Sequence, residues 1–471
     1  MMLGAPVLPT LLKLTFPVIA VVVAQTFVAI LEAYWVSRLG TEAVAGVSLV
    51  LPLLILMGTM SNGGIGGGVS SAVARAIGAG RQADADALVL HTVIVALAFG
   101  LAFTLDTIFL GPRIYSYLGG RGQTLDFALA YSAWVFGGAP LIWTVNLLAS
   151  AMRGAGEVRI PALVSLVGAV VLIPLSPILI FGLGPFPRLG VGGAGAATLI
   201  FYVVGLAVYL RHLLRGQGAL RLHLSRLRFR HFRSILGVGL LSAIGTLVAS
   251  LTVVGVTGAV GTQGTAALAG YGIASRIDSL LVPLLFSVGS GVVTLIGVAT
   301  GAGNISRGNH IARIACTIAF GATQSVGLLL VIFPSGWLHL FSADPSVLTA
   351  GSTYLRVVAP SYGCFGVGLM LYFASQGRSN MVWPFVAGSL RLAVTVAGAA
   401  WLASSGASLA LIVAPVAAGS VVFGLTNAAG FFSNARRLAA RRHQLPRGSA
   451  PDESNSAPTA TVAGSLTRGF P

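Results

Sequence analysis

Charged residues are scarce in this sequence. Asp, Glu, Lys and Arg make up only 8% of its 471 residues, whereas hydrophobic residues make up 56%. A soluble globular domain carries about 25% charged residues. A third of that proportion cannot cover a surface that faces water, so the composition excludes a soluble fold. We expect most of the surface to face lipid.

Acids, histidines and cysteines are few as well. The chain has 11 Asp and Glu, 7 His and 2 Cys. The candidate acids stand far apart and the histidines do not cluster, which argues against a membrane enzyme such as a polyprenyl transferase with a metal-bound diphosphate. Cys316 and Cys364 fall in apolar segments and indicate neither a disulfide nor a metal site. The sequence therefore predicts no enzymatic activity, no cofactor and no metal.

Long apolar segments are abundant. Twelve of them approach or exceed the roughly 20 residues that cross the hydrocarbon core of a bilayer. The predicted spans of the first half are 9–34, 43–72, 87–110, 124–150, 160–183 and 192–212. Those of the second half are 235–260, 266–299, 310–334, 346–375, 381–403 and 408–433.

The two halves are copies of one unit. Ile-Gly-Ala-Gly at 77–80 is matched by Thr-Gly-Ala-Gly at 300–303, a spacing of 223 residues that also relates Gly154 to Gly377. Duplicated halves of this size in an apolar chain are typical of transporters with a site between the repeats. Six spans per half give both copies the same direction through the membrane. We predict an all-α membrane protein whose twelve transmembrane helices form two parallel six-helix repeats around a central cavity.

The arginines predict the orientation. With the N-terminus inside, the loops after even-numbered spans hold most arginines, as the positive-inside rule requires. The net charge of +17 is then a topology signal. Nucleic-acid binding is not expected, because the arginines are spread over several short loops. We expect a multi-pass protein of the cytoplasmic (inner or plasma) membrane with both termini in the cytoplasm.

Composition divides the chain into four parts. Residues 1–213 form the predicted N-terminal six-helix lobe and residues 234–435 the C-terminal one. Between them, Arg and Leu alternate at helix-like spacing over 214–233, which predicts a basic cytoplasmic linker with a short interfacial helix. Residues 436–471 carry Pro, Ser, Thr and Gly without an apolar period, so we expect a disordered cytoplasmic tail.

Three acids fall inside the predicted spans, namely Glu32, Asp106 and Asp278. An acid at mid-bilayer costs on the order of 2.5–3.5 kcal/mol, which makes it a functional candidate. Glu32 is either a carboxylate whose protonation drives a conformational change or an interfacial acid in an aromatic belt with Tyr34 and Trp35. Asp106 lies near a span end, where solvation explains it more simply.

A second candidate polar site lies in the second half. Asp278 follows Arg276 and can pair with it, with Arg391 or with Arg356. Asp278 either belongs to a structural ion pair or has a role in translocation. The sequence leaves both interpretations open.

Pro17 lies inside the first span and removes one backbone hydrogen bond there, so the helix can bend. The same span carries Glu32. The bend is either a gate whose shape depends on protonation or a static kink of the kind common in membrane helices.

Several stretches resemble the multidrug and toxic compound extrusion (MATE) family of secondary transporters. They are Trp35-Val36-Ser37-Arg38-Leu39-Gly40, Ala76-Ile77-Gly78-Ala79-Gly80-Arg81, Met152-Arg153-Gly154-Ala155-Gly156, Pro177 to Gly182 and Gly190 to Thr198. No single motif is specific, but together with twelve spans and a 6+6 duplication they are. The resemblance runs from about residue 10 to residue 433.

The resemblance implies two lobes that rock between inward-open and outward-open states. It also implies export of amphipathic or cationic organic compounds against proton or sodium entry. By resemblance, Glu32 stands where the family usually has a first-span Asp, Pro17 matches a proline that bends on protonation, and Thr198 matches a threonine near that site. We expect Glu32 to govern the cleft between the lobes.

The fifth span departs from the family. Leu172 and Ser176 stand where the family often has an Asn and an Asp. Sodium prefers several oxygen ligands, and Glu32, Thr198 and Ser176 together supply few. A proton needs only one carboxylate. We therefore expect coupling to protons rather than sodium.

One alternative from the same superfamily remains. A lipid-linked oligosaccharide flippase would use a cationic cavity, for which Arg276, Arg356 and Arg391 are candidates. For the exporter, the expected partners are a small organic substrate, H+ or Na+ and the lipid bilayer, with no nucleic acid. We expect it to act as a monomer.

Overall fold

The structure, a computed structural model, describes residues 3–444, which are mostly helical. The helices of the first half are α1 (Val7–Ser37), α2 (Thr41–Thr59), α3 (Ile65–Gly78), α4 (Gln82–Tyr117), α5 (Gly122–Gly137), α6 (Ala139–Gly154), α7 (Arg159–Phe181) and α8 (Val191–Leu214). Those of the second half are α9 (Phe229–Gly261), α10 (Thr265–Ala274), α11 (Arg276–Gly301), α12 (Ile305–Ile332), α13 (Pro334–Leu338), α14 (Pro345–Val358), α15 (Tyr362–Gly377), α16 (Val382–Leu392), α17 (Gly398–Ser404) and α18 (Leu409–Gln444).

The helices confirm the predicted spans. Among the described residues, eleven helical runs of 23 to 38 residues are long and apolar enough to cross a membrane. Four of these runs join neighbouring helices: α2 with α3, α10 with α11, α14 with α15, and α16 with α17. α5 and α6 pass the same test only as a pair, bent by 48°. Counted as one broken span, the pair brings the total to twelve.

The two lobes meet where α3 of the first crosses α11 of the second. Ala74 and Gly297 face each other at this crossing, and the 223-residue offset of the sequence repeat relates the two positions. A Cβ on Gly297 would lie 2.6 Å from the Cβ of Ala74, so the absence of a side chain allows the close approach. The crossing therefore lies on the pseudo-two-fold axis of the duplicated fold.

The same symmetry appears at the loop end of these helices. Gly78 packs against the carbonyl group of Val298, and its repeat counterpart Gly301 packs against the carbonyl group of Arg75. A Cβ at either glycine would overlap the facing backbone. We call this end of the lobes, next to the loops 79–81 and 302–304, the closed end.

Hydrogen bonds across the lobes reinforce the closed end. Ser71 Oγ on α3 donates to the carbonyl oxygen of Gln376, and Thr294 Oγ1 on α11 donates to that of Arg153 at 2.9 Å. The sequence offset relates Ser71 to Thr294 and Arg153 to Gln376, so the two bonds are symmetry mates. By contrast, α5, α8, α10 and α14 pack chiefly within their own lobes.

The prediction of an interfacial helix in the 214–233 linker is wrong. No helix lies between the end of α8 and the start of α9. The backbone N–H of Arg221 donates to Asp86 Oδ1 at 2.9 Å, and that of Arg228 donates to His91 Nε2 at 3.0 Å. These backbone groups are satisfied by side chains of α4, so the linker lies on the first lobe without forming its own helical bonds.

Two predicted boundaries also shift. α9 begins at Phe229, before the predicted start of the C-terminal lobe at residue 234. α18 continues to Gln444, past the predicted start of the disordered tail at residue 436. The rest of the predicted tail, 445–471, lies outside the described residues.

Asp86→Ala should release the linker. Asp86 is only 8% exposed, and its carboxylate also accepts from Gln82 Nε2 at 3.1 Å. Loss of the acceptor leaves polar N–H groups unsatisfied, at a cost of about 1–3 kcal/mol. We expect a lower thermal unfolding midpoint in detergent and faster tryptic cleavage within the linker. Asp106→Ala is the control, since Asp106 is exposed; equal cleavage of the two variants would contradict the prediction.

Candidate transport site

A small cavity inside the first lobe brings Glu32 and Ser176 together. It is lined by Val28, Leu31, Glu32 and Trp35 of α1 and by Leu172, Ile173 and Ser176 of α7. The spacing of three and four residues places each set on one face of its helix. Glu32 is the only ionisable residue of this lining, and Ser176 and Trp35 supply its other polar atoms.

These polar groups have no partners of their own. Ser176 Oγ and Trp35 Nε1 are buried and lack a hydrogen-bond partner among the described residues. Glu32 is partly buried, and no salt bridge or hydrogen bond to its carboxylate occurs in that part of the chain. Buried polar atoms without partners are uncommon in proteins. The cavity is therefore chemically suited to take up a proton, a water or a polar ligand group.

Arg38, one helical turn beyond Trp35, does not neutralise Glu32. Its Nη2 donates to the Tyr34 hydroxyl at 2.6 Å, and its guanidinium carbon lies 5.1 Å from the centre of that ring. This hydrogen bond raises the pKa of Arg38. Tyr34 is exposed, as expected of an aromatic belt, whereas Trp35 turns inward to line the cavity.

Thr198 does not line the Glu32 cavity. Its hydroxyl group on α8 donates to the carbonyl oxygen of Ala194 at 3.1 Å. The cavity also belongs to the first lobe and not to the cleft between the lobes, so the expectation that Glu32 governs that cleft is not met in this structure. The physical reason is that the outer half of α1 faces α7 of its own lobe.

α1 passes from one lobe to the other near Pro17. Before the proline, Leu11 and Leu14 are buried against Gly291 of α11, where an added Cβ would lie 3.1 and 3.4 Å from their side chains. After it, the helix faces α7, and Glu32 lies fifteen residues further on, roughly 22 Å along the axis. The helix is continuous through Pro17. Pro17 thus lies between the half of α1 that contacts the second lobe and the half that carries Glu32.

The second-lobe candidates do not form the ion pair that was one of the two interpretations of Asp278. Among the described residues, no arginine nitrogen lies within 4.0 Å of the Asp278 carboxylate. The Tyr354 hydroxyl lies 3.4 Å from Asp278 Oδ2 and donates to it. Arg276 and Arg391 lie over phenylalanine rings, 5.0 and 4.7 Å from the ring centres. Both guanidinium groups therefore pack on aromatic rings and form no salt bridge with the acid among the described residues.

A second cavity lies between the lobes at their closed end, and its residues were missed by sequence reasoning. It is lined by Asn62, Gly63, Gly66, Gly67, Ser70, Ser150, Arg153, Phe286, Ser290, Val293, Phe373 and Gln376. Arg153 is the only charged residue of this lining. A usable signal was present in the sequence, because the repeat offset relates Arg153 to Gln376 and so places both at the same depth.

Comparison with known proteins identifies the family. The MatE family model matches residues 17–178 and 238–402, one segment in each lobe. The chain belongs to the MatE family. The matched segments of this MatE protein include Glu32, Pro17 and Arg153, so both cavities draw on regions that the family model describes.

Curated relatives cover most of this MatE protein. A protein of Shewanella oneidensis named FAD transporter is 27% identical over 384 residues, covering 79% of this chain and 82% of the relative. The multidrug export protein MepA of Staphylococcus saprophyticus is 27% identical, covering 76% and 80%. The probable multidrug resistance protein NorM of Thermotoga maritima is 24% identical, covering 80% and 81%.

Solved structures share the fold. A crystal structure described as MATE in the bent conformation superposes with a TM-score of 0.86 at 24% identity, covering 94% of this chain and 98% of the other. A MATE transporter structure described as outward-facing superposes with a TM-score of 0.82 at 25% identity, again covering 94% and 98%. Both results confirm the all-helical two-lobe architecture of this MatE protein.

Proposed function

We propose that this MatE protein exports amphipathic or cationic organic compounds across the plasma membrane in exchange for protons. The observation that carries the proposal is the Glu32 cavity, where one carboxylate faces Ser176 and Trp35 without a basic partner among the described residues. A carboxylate in apolar surroundings favours its protonated form, and a change of solvation shifts that balance. The multidrug names of two relatives support the substrate class.

The proposal favours protons over sodium because of the composition of the cavity. Among its lining residues, only Glu32 and Ser176 carry side-chain oxygens. Thr198, the third expected ligand, bonds to its own helix. Sodium needs several oxygens around it, whereas a proton needs a single carboxylate whose surroundings change between states.

Alternating access would use the two ends of α1. The half before Pro17 is part of the closed end, and the half after it carries the proton site. With both termini in the cytoplasm, as the arginines favour, the closed end is cytoplasmic. Protonation of Glu32 from outside would alter how α1 packs on α7 and thereby loosen the closed end, with the monomer as the working unit.

The three arginines that were candidates for a flippase cavity do not form one. Arg276 and Arg391 pack on aromatic rings, Arg356 is exposed, and none of the three lines the cavity between the lobes. We therefore keep the exporter as the proposed function.

A vesicle experiment tests the coupling ion. Inside-out vesicles containing the protein should accumulate a fluorescent cationic drug such as ethidium when their lumen is acidic. A sodium gradient at constant pH should give no accumulation, because the Glu32 cavity offers too few oxygen ligands. Protein-free vesicles supply the background. Accumulation that follows the sodium gradient at constant pH would overturn the proposed proton coupling.

A further inference from the structure

Positive charge without a carboxylate partner marks the closed end of the inter-lobe cleft. Arg153 lines this cavity together with serine, asparagine and glutamine residues, and the lining contains no acid. Its Nη2 donates to Ser150 Oγ at 2.7 Å. Among the described residues, no carboxylate oxygen lies within 4.0 Å of its guanidinium group. A partly buried cation in this position favours an anion that can enter from the cleft.

Only the first lobe contributes a charged side chain to the lining of this cavity. Gln376 is the repeat counterpart of Arg153 and lines the same cavity from the second lobe. Its Nε2 donates to the Gly63 carbonyl oxygen at 3.0 Å and to Ser242 Oγ at 2.9 Å, which fixes the orientation of the amide. Its Oε1 is buried and accepts from no described residue. The cavity thus presents a guanidinium group on one side and an unused hydrogen-bond acceptor on the other.

Glycines keep these polar groups in place. A Cβ on Gly66 would lie 2.6 Å from Ser150 Oγ, and a Cβ on Gly67 would lie 2.6 Å from Gln376 Nε2. Without side chains at these positions, Ser150 can accept from Arg153 and Gln376 can reach across the lobe interface. The arrangement is therefore built into the backbone of α3, which carries both glycines.

Aromatic side chains form another wall of the cavity. The rings of Phe286 and Phe373 meet edge to face with centres 5.8 Å apart, and both residues line the cavity beside the polar groups. Such a wall favours contact with a flat apolar ring system. A ligand that satisfies the whole cavity has an anionic group for Arg153, a donor for Gln376 Oε1 and an aromatic body.

We propose that Arg153 forms an anion subsite for the transported compound, which takes the phosphate or carboxylate of an aromatic organic molecule at the closed end of the cleft. This inference rests on the proposed export function, because a compound bound at this subsite is transported only if the protein is an exporter. It adds aromatic compounds with an anionic group to the cationic and amphipathic class. The subsite lies between the lobes, separate from the Glu32 cavity within the first lobe.

Binding measurements without any ion gradient test the subsite, so a failure of proton coupling cannot affect the result. The probes are riboflavin and riboflavin 5′-phosphate, which share one aromatic body and differ by one phosphate. Purified protein in phosphatidylcholine nanodiscs should bind the phosphate form more tightly. Arg153→Gln should weaken that binding about ten- to hundredfold, as expected for a lost hydrogen bond to a charged group, and leave riboflavin unchanged.

Two further variants guard against misfolding. Arg159→Gln removes the same charge from an exposed position on α7 and should retain wild-type affinity for both probes. Asn62→Asp keeps Arg153 but adds a carboxylate to the cavity lining, and should also weaken binding of the phosphate form selectively. Thermal unfolding of each variant confirms that it is folded.

Three outcomes would overturn the proposal. The first is an equal loss of affinity in Arg153→Gln and Arg159→Gln. The second is a parallel loss of riboflavin and its phosphate in a folded Arg153→Gln protein. The third is displacement of the bound phosphate form by phosphatidylglycerol in the nanodisc, since a lipid phosphate would then occupy the subsite.

Discussion

Glu32→Gln should reduce pH-driven export to the level of protein-free vesicles. The amide has nearly the same size and polarity as a protonated carboxyl group, but it cannot release a proton. Glu32 has no salt bridge or hydrogen bond among the described residues, so the change should not break a structural contact. We expect the thermal unfolding midpoint to stay at or above the wild-type value, because no isolated charge remains in the cavity.

Transport in inside-out vesicles with an acidic lumen measures this effect. Glu32→Asp keeps a titratable acid and should retain export, in keeping with the acid that the family usually has there. Glu42→Gln is the matched control, since Glu42 is exposed in the first turn of α2. Export by Glu32→Gln with an unchanged pH dependence would show that this carboxylate is not the coupling group.

Gly78→Ala should disrupt the closed end and slow transport. A Cβ at residue 78 would overlap the carbonyl group of Val298 in the second lobe. Overpacking of this kind costs about 1–3 kcal/mol, which corresponds to about a 5- to 150-fold shift between two conformations. The cost falls only on the state in which α3 and α11 touch. We therefore expect the population to move toward the state in which this end is open, with a comparable loss of export.

Cysteine cross-linking reports the closed state directly. Ala79→Cys and Ala302→Cys place thiols at exposed, repeat-related positions of the closed end, after replacement of Cys316 and Cys364 by Ala. Gly78→Ala should slow formation of the disulfide between the introduced thiols.

Gly58→Ala is the control, because a Cβ at residue 58 meets no atom within 4 Å and should leave cross-linking and export unchanged. Equal cross-linking in both alanine variants would contradict the proposed role of Gly78.

Much of the fold was predictable because its signals are local or repeated. An apolar run must cross the bilayer as a helix to satisfy its own backbone, so composition alone indicated the spans. The constant offset of 223 residues indicated the duplication, and the crossing of Ala74 with Gly297 has the symmetry that this duplication requires.

The linker and the second-lobe charges were harder to predict because their partners are remote in sequence. Arg and Leu spacing over 214–233 favoured a helix, but α4 offers acceptors to the linker backbone from more than a hundred residues away. Arg276, Arg391 and Arg356 were the candidate partners of Asp278, yet a tyrosine hydroxyl from another helix reaches it. Local spacing does not encode such contacts.

For the candidate site, the sequence singled out Glu32 as a rare acid in an apolar span, Pro17 as a proline in the same span and, through resemblance, Ser176. It did not show that Trp35 turns inward, nor that the cavity lies within the first lobe.

By itself, the sequence showed that most of the surface faces lipid, how many spans cross the membrane and that the two halves are copies. These properties depend on composition and on the order of residues along the chain. Only the tertiary structure decided which polar groups share a cavity and which lack partners. Arg153 on α6 and Gln376 on α15 illustrate the reason: they are 223 residues apart in sequence, and only the packing of the two lobes against each other brings them to one cavity.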